Sequence, residues 1–98
     1  MASDHTNVEI LDEVSVRYKH GATLCFQAVR YHIPNQPFED GFRFSWRDGR
    51  GHLLPLRGQT RIPSLRIARL LMAIAEERPA FRNHRGADAD DLPTSVNI

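Results

Sequence analysis

Gly41-Phe42-Arg43-Phe44-Ser45-Trp46-Arg47, followed by Asp48-Gly49-Arg50-Gly51-His52, is the stretch that decides the fold. In an extended strand successive side chains point to opposite faces. Phe42, Phe44 and Trp46 therefore share one face, while Arg43, Ser45 and Arg47 share the other. The residues after Arg47 include Gly49 and Gly51, both able to take positive φ, which suits a hairpin loop. A return strand is expected from Leu53 to about Ile62, at an edge or bulged, because Pro55 has no N–H for a ladder. With residues 48–52 as the loop, Arg47 sits opposite Leu53, Trp46 faces Leu54 and Phe44 faces Leu56. On the other face Arg43 then lies opposite Arg57, with Arg61 further along.

Upstream, Val14, Val16 and Tyr18 alternate with Ser15 and Arg17, which predicts a strand over residues 8–18. Lys19-His20-Gly21 reads as a turn. Thr23 to His32 reads as a second strand, too apolar for clean alternation, as expected where both faces are partly covered. Pro34 and Pro37 mark a loop. Downstream, Pro63 and Ser64 make a helix start for Leu65 to about Arg78, with Ser64 as N-cap, and Pro79 ends it. The expected class is α+β: an antiparallel sheet of three to four strands packed on one C-terminal helix. Residues 1–7 read as a loose terminus, residues 8–79 as the single domain, and residues 80–98 as a mostly disordered tail.

At 98 residues the chain is one domain's length. A domain this small buries a modest share of its surface, so partners or ligands often add to its stability. Hydrophobic and charged contents of 41% and 26% are ordinary for a globular protein, which argues against wholesale disorder. No apolar run reaches the ~18–20 residues of a membrane-spanning helix, and the acidic N-terminus lacks the apolar core of a secretory signal. Cys25 is the single cysteine, so an intramolecular disulfide and a cysteine zinc cluster are excluded. A cytoplasmic location is the expectation.

The net charge of +1 hides a segregation along the chain. Residues 1–13 carry Asp4, Glu9, Asp12 and Glu13 and no lysine or arginine. Residues 14–75 carry ten basic residues against Glu39, Asp40 and Asp48. Residues 76–98 are acidic again. All the basic residues but Lys19 are arginines, whose planar donor fork suits phosphate and carboxylate.

The main functional candidate is the arginine face of the sheet. Like charges directly opposite each other destabilise a sheet unless something offsets them, so Arg43 facing Arg57 calls for a carboxylate or a bound anion. Arg43, Arg47, Arg50, Arg57 and Arg61, with Gln59 and Ser45 as neutral hydrogen-bonders, would then track a phosphate backbone. This reading requires guanidinium groups that converge outward, clear of intramolecular carboxylates. The competing reading is a solvated face, and the rival partner is an acidic protein surface.

The order of elements, three strands and then a capped helix over roughly residues 22–78, resembles the plant AP2-type DNA-binding domain and the bacterial cell-division activator CedA. No diagnostic motif is shared, so the resemblance implies DNA binding without assigning a residue. Gly41-Phe42-Arg43-Phe44 followed by Arg57-Gly58-Gln59-Thr60-Arg61-Ile62-Pro63-Ser64 also resembles a pattern in small bacterial proteins with no known activity.

The helix is the second candidate. From Leu65 to Ala75 only Arg66 and Arg69 are not apolar, which predicts cover on more than one side. Leu65, Ala68, Leu71, Met72 and Ala75 are expected to cover the sheet, while Ile67, Leu70 and Ile74 meet a partner, most simply a second copy. Catalysis finds little support. His5, His20, His32, His52 and His84 lack metal-site spacing, no serine has a nucleophile-elbow context, and Cys25 reads as a small buried hydrophobe. The expectation is a non-enzymatic binding protein without cofactor or metal.

Overall fold

β1 (Asn7–Arg17), β2 (Thr23–His32) and β3 (Glu39–Arg47) form an antiparallel sheet in the order β1-β2-β3, and a helix, α1 (Leu65–Ala75), packs on one face. A second, four-residue helix, α2 (Pro79–Arg82), follows. The computed structural model describes residues 6–55 and 60–82. The α+β class expected from the alternation is the observed one.

The central position of β2 explains its composition. Leu24 and Ala28 are buried on the helix side, and Cys25, Gln27 and Val29 are buried on the other, so neither face tolerates a regular run of polar residues. β1 pairs with β2 from Asn7↔His32 to Arg17↔Thr23, with a register shift between Ile10 and Asp12. This irregularity lets Leu11 pack against the core while the adjacent Asp12 reaches the end of the helix. The β1–β2 connection is a tight turn over Lys19–Gly21, closed by Tyr18 N–H to the Ala22 carbonyl at 2.7 Å. His20 and Gly21 take φ of 60° and 77° there.

The hairpin after β3 forms where the glycines predict it. Asp48 N–H donates to the His52 carbonyl at 2.9 Å, and Gly51 sits at φ 83°. The Asp48 carboxylate accepts from the backbone N–H groups of Arg50 and His52, both at 2.9 Å. Arg47 pairs with Leu53, the expected register, and Leu54 N–H reaches the Trp46 carbonyl at 2.8 Å. The expected return strand goes no further among the described residues. Pro55 offers no donor to continue the ladder, and Thr60 holds β3 through its side-chain hydroxyl, 3.2 Å from the Phe44 carbonyl. Leu56, Arg57 and Gln59, and with them the Arg43–Arg57 pairing, lie outside the described residues.

Ser64 caps α1 as expected, its hydroxyl accepting from Ile67 N–H at 3.1 Å. The helix is shorter than the predicted 65–78: Glu76 is its C-cap, and Arg78 N–H closes a turn onto the Ala75 carbonyl at 2.9 Å. Ala68, Leu71 and Ala75 meet Val14, Leu24 and Ala28, and Ile67 packs against the same cluster. Ile67 is thus a core neighbour rather than the partner contact expected of it. Leu65 and Met72, expected to cover the sheet, are exposed instead. At 100° per residue they fall about 60° and 40° round the wheel from the buried Ala68, on the side away from Leu71 and Ala75. α2 falls where a loose tail was expected to begin, because Phe81 is buried against Phe26 and Phe42 at centroid distances of 5.5 and 5.7 Å. Residues 83–98 lie outside the described residues. Arg78 ties this region to β1 through two bonds to Asp12, 2.6 and 2.8 Å.

Candidate anion-binding surface

Strand pairing sets out the face opposite α1 in rows. Glu13, Gln27 and Arg43 form one row across β1, β2 and β3; Ser15, Cys25 and Ser45 form the next; Arg17, Thr23 and Arg47 form the last before the turns. Arg43 and Arg47 share this face and lie on the side away from Phe42, Phe44 and Trp46, as the alternation predicts.

Their guanidinium groups are not both turned to solvent. Gln27, fully buried, donates to Glu13 Oε1 at 2.6 Å and accepts from Arg43 Nε at 2.7 Å, so the first row is a continuous hydrogen-bonded chain. Arg47 lies diagonally toward β1, placing Nε 3.1 and 3.2 Å from the two Glu13 oxygens and Nη2 3.0 Å from Oε1. Its Nη1 donates to the Gly51 carbonyl at 2.8 Å. This diagonal crosses the row holding Cys25 and Ser45, both of which are fully buried. The Ser45 hydroxyl beneath it has no hydrogen-bond partner among the described residues.

Charge states follow from these contacts. Burial pushes the Glu13 carboxyl up, but the hydrogen bonds from Arg47 and Gln27 outweigh it and hold the group below the usual carboxylate range. Glu13 holds the Arg47 guanidinium more firmly protonated in return. Burial, with Glu13 adding to it, pushes the Cys25 thiol up to about 11, which makes it a poor nucleophile at neutral pH. Among the described residues no group of three or more histidine, cysteine or acidic side chains could hold a metal ion.

Four cations without a carboxylate partner among the described residues, Arg17, Lys19, Arg50 and Arg61, lie at the turn end of the sheet. The β1–β2 turn and the β3 hairpin lie against each other there: a Cβ built on Gly21 would meet the Gly49 Cα at 3.7 Å. Arg17 belongs to the open face, and Arg50 is exposed on the hairpin. Lys19 and Arg61 line a cleft of about 240 Å³ with Tyr18, Trp46 and Pro63. Trp46 Nε1 donates to the Arg61 carbonyl at 3.0 Å, and its ring meets Tyr18 edge-on at 5.8 Å. Arg61 therefore sits on the aromatic side of the sheet, not on the arginine face where the sequence register placed it. The opposite end of the sheet carries Glu9, Glu39 and Asp40, the last buried and bound by Arg30 at 2.8 Å.

Glu13, Arg17 and Lys19 were not among the site residues expected from the sequence. The alternation of Val14, Val16 and Tyr18 already puts Glu13 and Arg17 on the polar face. Which arginine meets Glu13 depends on a three-strand register that the loops leave open. No helix among the described residues is long and apolar enough to cross a membrane. Comparison of the chain with models of known protein families, with curated proteins and with solved structures returns no match.

Proposed function

We infer that the protein is a non-enzymatic binding module for a polyanion, nucleic acid in first place, and that it engages its ligand with the turn end of the sheet. The observation that carries this reading is the convergence of Arg17, Lys19, Arg50 and Arg61 around two touching turns, none of them held by a carboxylate among the described residues. These cations reach the ligand from both faces, with Asp48 the acid at that end. The cleft beside them adds Tyr18 and Trp46, whose rings suit an unstacked base next to a bound phosphate. Arg43, whose Nη groups have no protein partner among the described residues, extends the surface along the open face. Arg47, held by Glu13, serves as a structural tie.

Trp46 is the single tryptophan, so its emission reports on the cleft. Titration with single- and double-stranded oligonucleotides should change that emission. For four duplex phosphates neutralised, log K should fall against log salt with a slope of roughly −4, about 0.9 per contact. A triple Arg17→Ala, Lys19→Ala, Arg61→Ala variant should weaken binding for all sequences and shallow the slope by about 1 per lost contact. No gel shift and no emission change at ~50 mM salt would remove the reading. Equal affinity for polyglutamate would reassign the patch to acidic protein surfaces.

A further inference from the structure

α1 keeps a long apolar and charged strip out of the core. Leu65, Leu70 and Ile74 are 73%, 50% and 46% exposed, and Arg66, Arg69, Glu76 and Glu77 are all exposed. Ala68, Leu71 and Ala75 point to the sheet, so the outward stripe runs Arg66, Leu70, Ala73, Glu77, spaced i, i+4, i+7 and i+11. Arg69 and Glu76 flank it on one side and Ile74 on the other.

The charges on this strip are placed against the helix dipole. Its first turn holds an arginine and no acid, and Glu76 and Glu77 sit at the carbonyl end, with no basic residue in the last turn. Acids favour the amino end and cations the carbonyl end, so an isolated helix gains nothing from this order. Among the described residues none of the four has an ion-pair partner, in contrast to Arg78, which is held by Asp12.

We propose that α1 is a homodimer surface on which a second copy of the chain packs its own α1 antiparallel across a two-fold axis. The stripe is self-complementary about the midpoint between Leu71 and Met72. A two-fold there brings Arg66 opposite Glu77 and Leu70 opposite Ala73 of the copy, and sets Arg69 near Glu76. Ala73 at the crossing lets the helices approach, and Leu70 and Ile74 of each copy close the apolar centre. A parallel pair would set arginine against arginine and glutamate against glutamate. The helix is about 16 Å long at 1.5 Å per residue, so the interface is small and its association concentration-dependent. This surface does not include the turn-end cations and stands or falls apart from the polyanion reading.

Sedimentation velocity of the full chain from ~1 μM to ~1 mM should show a monomer–dimer equilibrium weakened by salt. Arg66→Glu with Arg69→Glu should be monomeric throughout, and so should Glu76→Arg with Glu77→Arg. An equimolar mixture of these two variants should form a one-to-one dimer. The chain carrying all four exchanges should dimerise again, because its stripe is complementary in the opposite sense. Circular dichroism of each variant checks that the fold is retained. A wild type that stays monomeric to ~1 mM overturns the proposal. So do double variants that dimerise as the wild type does, or a four-exchange chain that stays monomeric.

Discussion

Arg47 on β3 grips Glu13 on β1 across the whole width of the sheet, through three contacts of 3.0–3.2 Å. These strands are not neighbours; β2 lies between them, and its Gln27 binds the same Glu13 oxygen at 2.6 Å. One carboxylate therefore gathers donors from both other strands. A partly shielded, multiply hydrogen-bonded carboxylate of this kind contributes more than an exposed surface pair, because removing it strands its donors.

Glu13→Ala should lower stability by about 1–3 kcal/mol, since Gln27 loses an acceptor while remaining buried. Glu13→Gln keeps an acceptor for Gln27 and should cost less. It also removes the charge that occupies Arg47, so its affinity for oligonucleotides should rise as its urea midpoint falls. An Ala variant as stable as wild type would show that the clamp is a solvated contact.

Acid should unfold the protein from the carboxylate side. Arg78 holds Asp12 below its ordinary value of 3.8; Glu13, despite its burial, is held below 4.5 by Arg47 and Gln27. A carboxyl whose folded pKa is depressed contributes stability that is full above its unfolded pKa and is lost as pH falls through the folded one. Urea midpoints should therefore be flat from pH 7 to about 5 and then decline. The decline should be shallower in Glu13→Gln, and an identical slope would exclude Glu13 as a contributor.

Ser45→Ala should stabilise the fold, by on the order of 1 kcal/mol, because its buried hydroxyl, without a partner among the described residues, carries its desolvation cost unrelieved. A lower thermal midpoint for this variant would mean that the hydroxyl is bonded in solution.

Phe81→Ala should cost about 3 kcal/mol, as it empties the site packed against the Phe26 and Phe42 rings. Ser64→Ala, which removes only the cap of α1, should cost about 1 kcal/mol. Denaturant midpoints of the two variants give the order directly.

The Phe42–Phe44–Trp46 alternation, the hairpin glycines and the Pro63-Ser64 helix start were legible because each expresses a local rule: strand period, positive φ, capping. Of the expected return strand Leu53–Ile62, the described residues show one bridged residue, Leu53, before Pro55, which has no N–H to continue the ladder. Arg61 was misplaced because its face was inferred from strand alternation, whereas residues 60–62 are not in a strand. α2 was hidden because a four-residue helix carries almost no periodicity. The tie between Glu13 and Arg47 joins positions 34 residues apart, and only assembly of β1 against β2 reveals it. Cover on the outward side of α1, which its apolar run predicts, is not supplied by the described residues.

The two ends of the strands differ in sign: Arg17, Lys19, Arg50 and Arg61 lie around the turns, and Glu9 and Glu39 lie at the far rim. Such a molecule carries an electric moment along its strands and experiences a torque near any strongly charged body. It would be swung into alignment before touching, so added salt should slow its capture by an anionic target much more than it hastens escape.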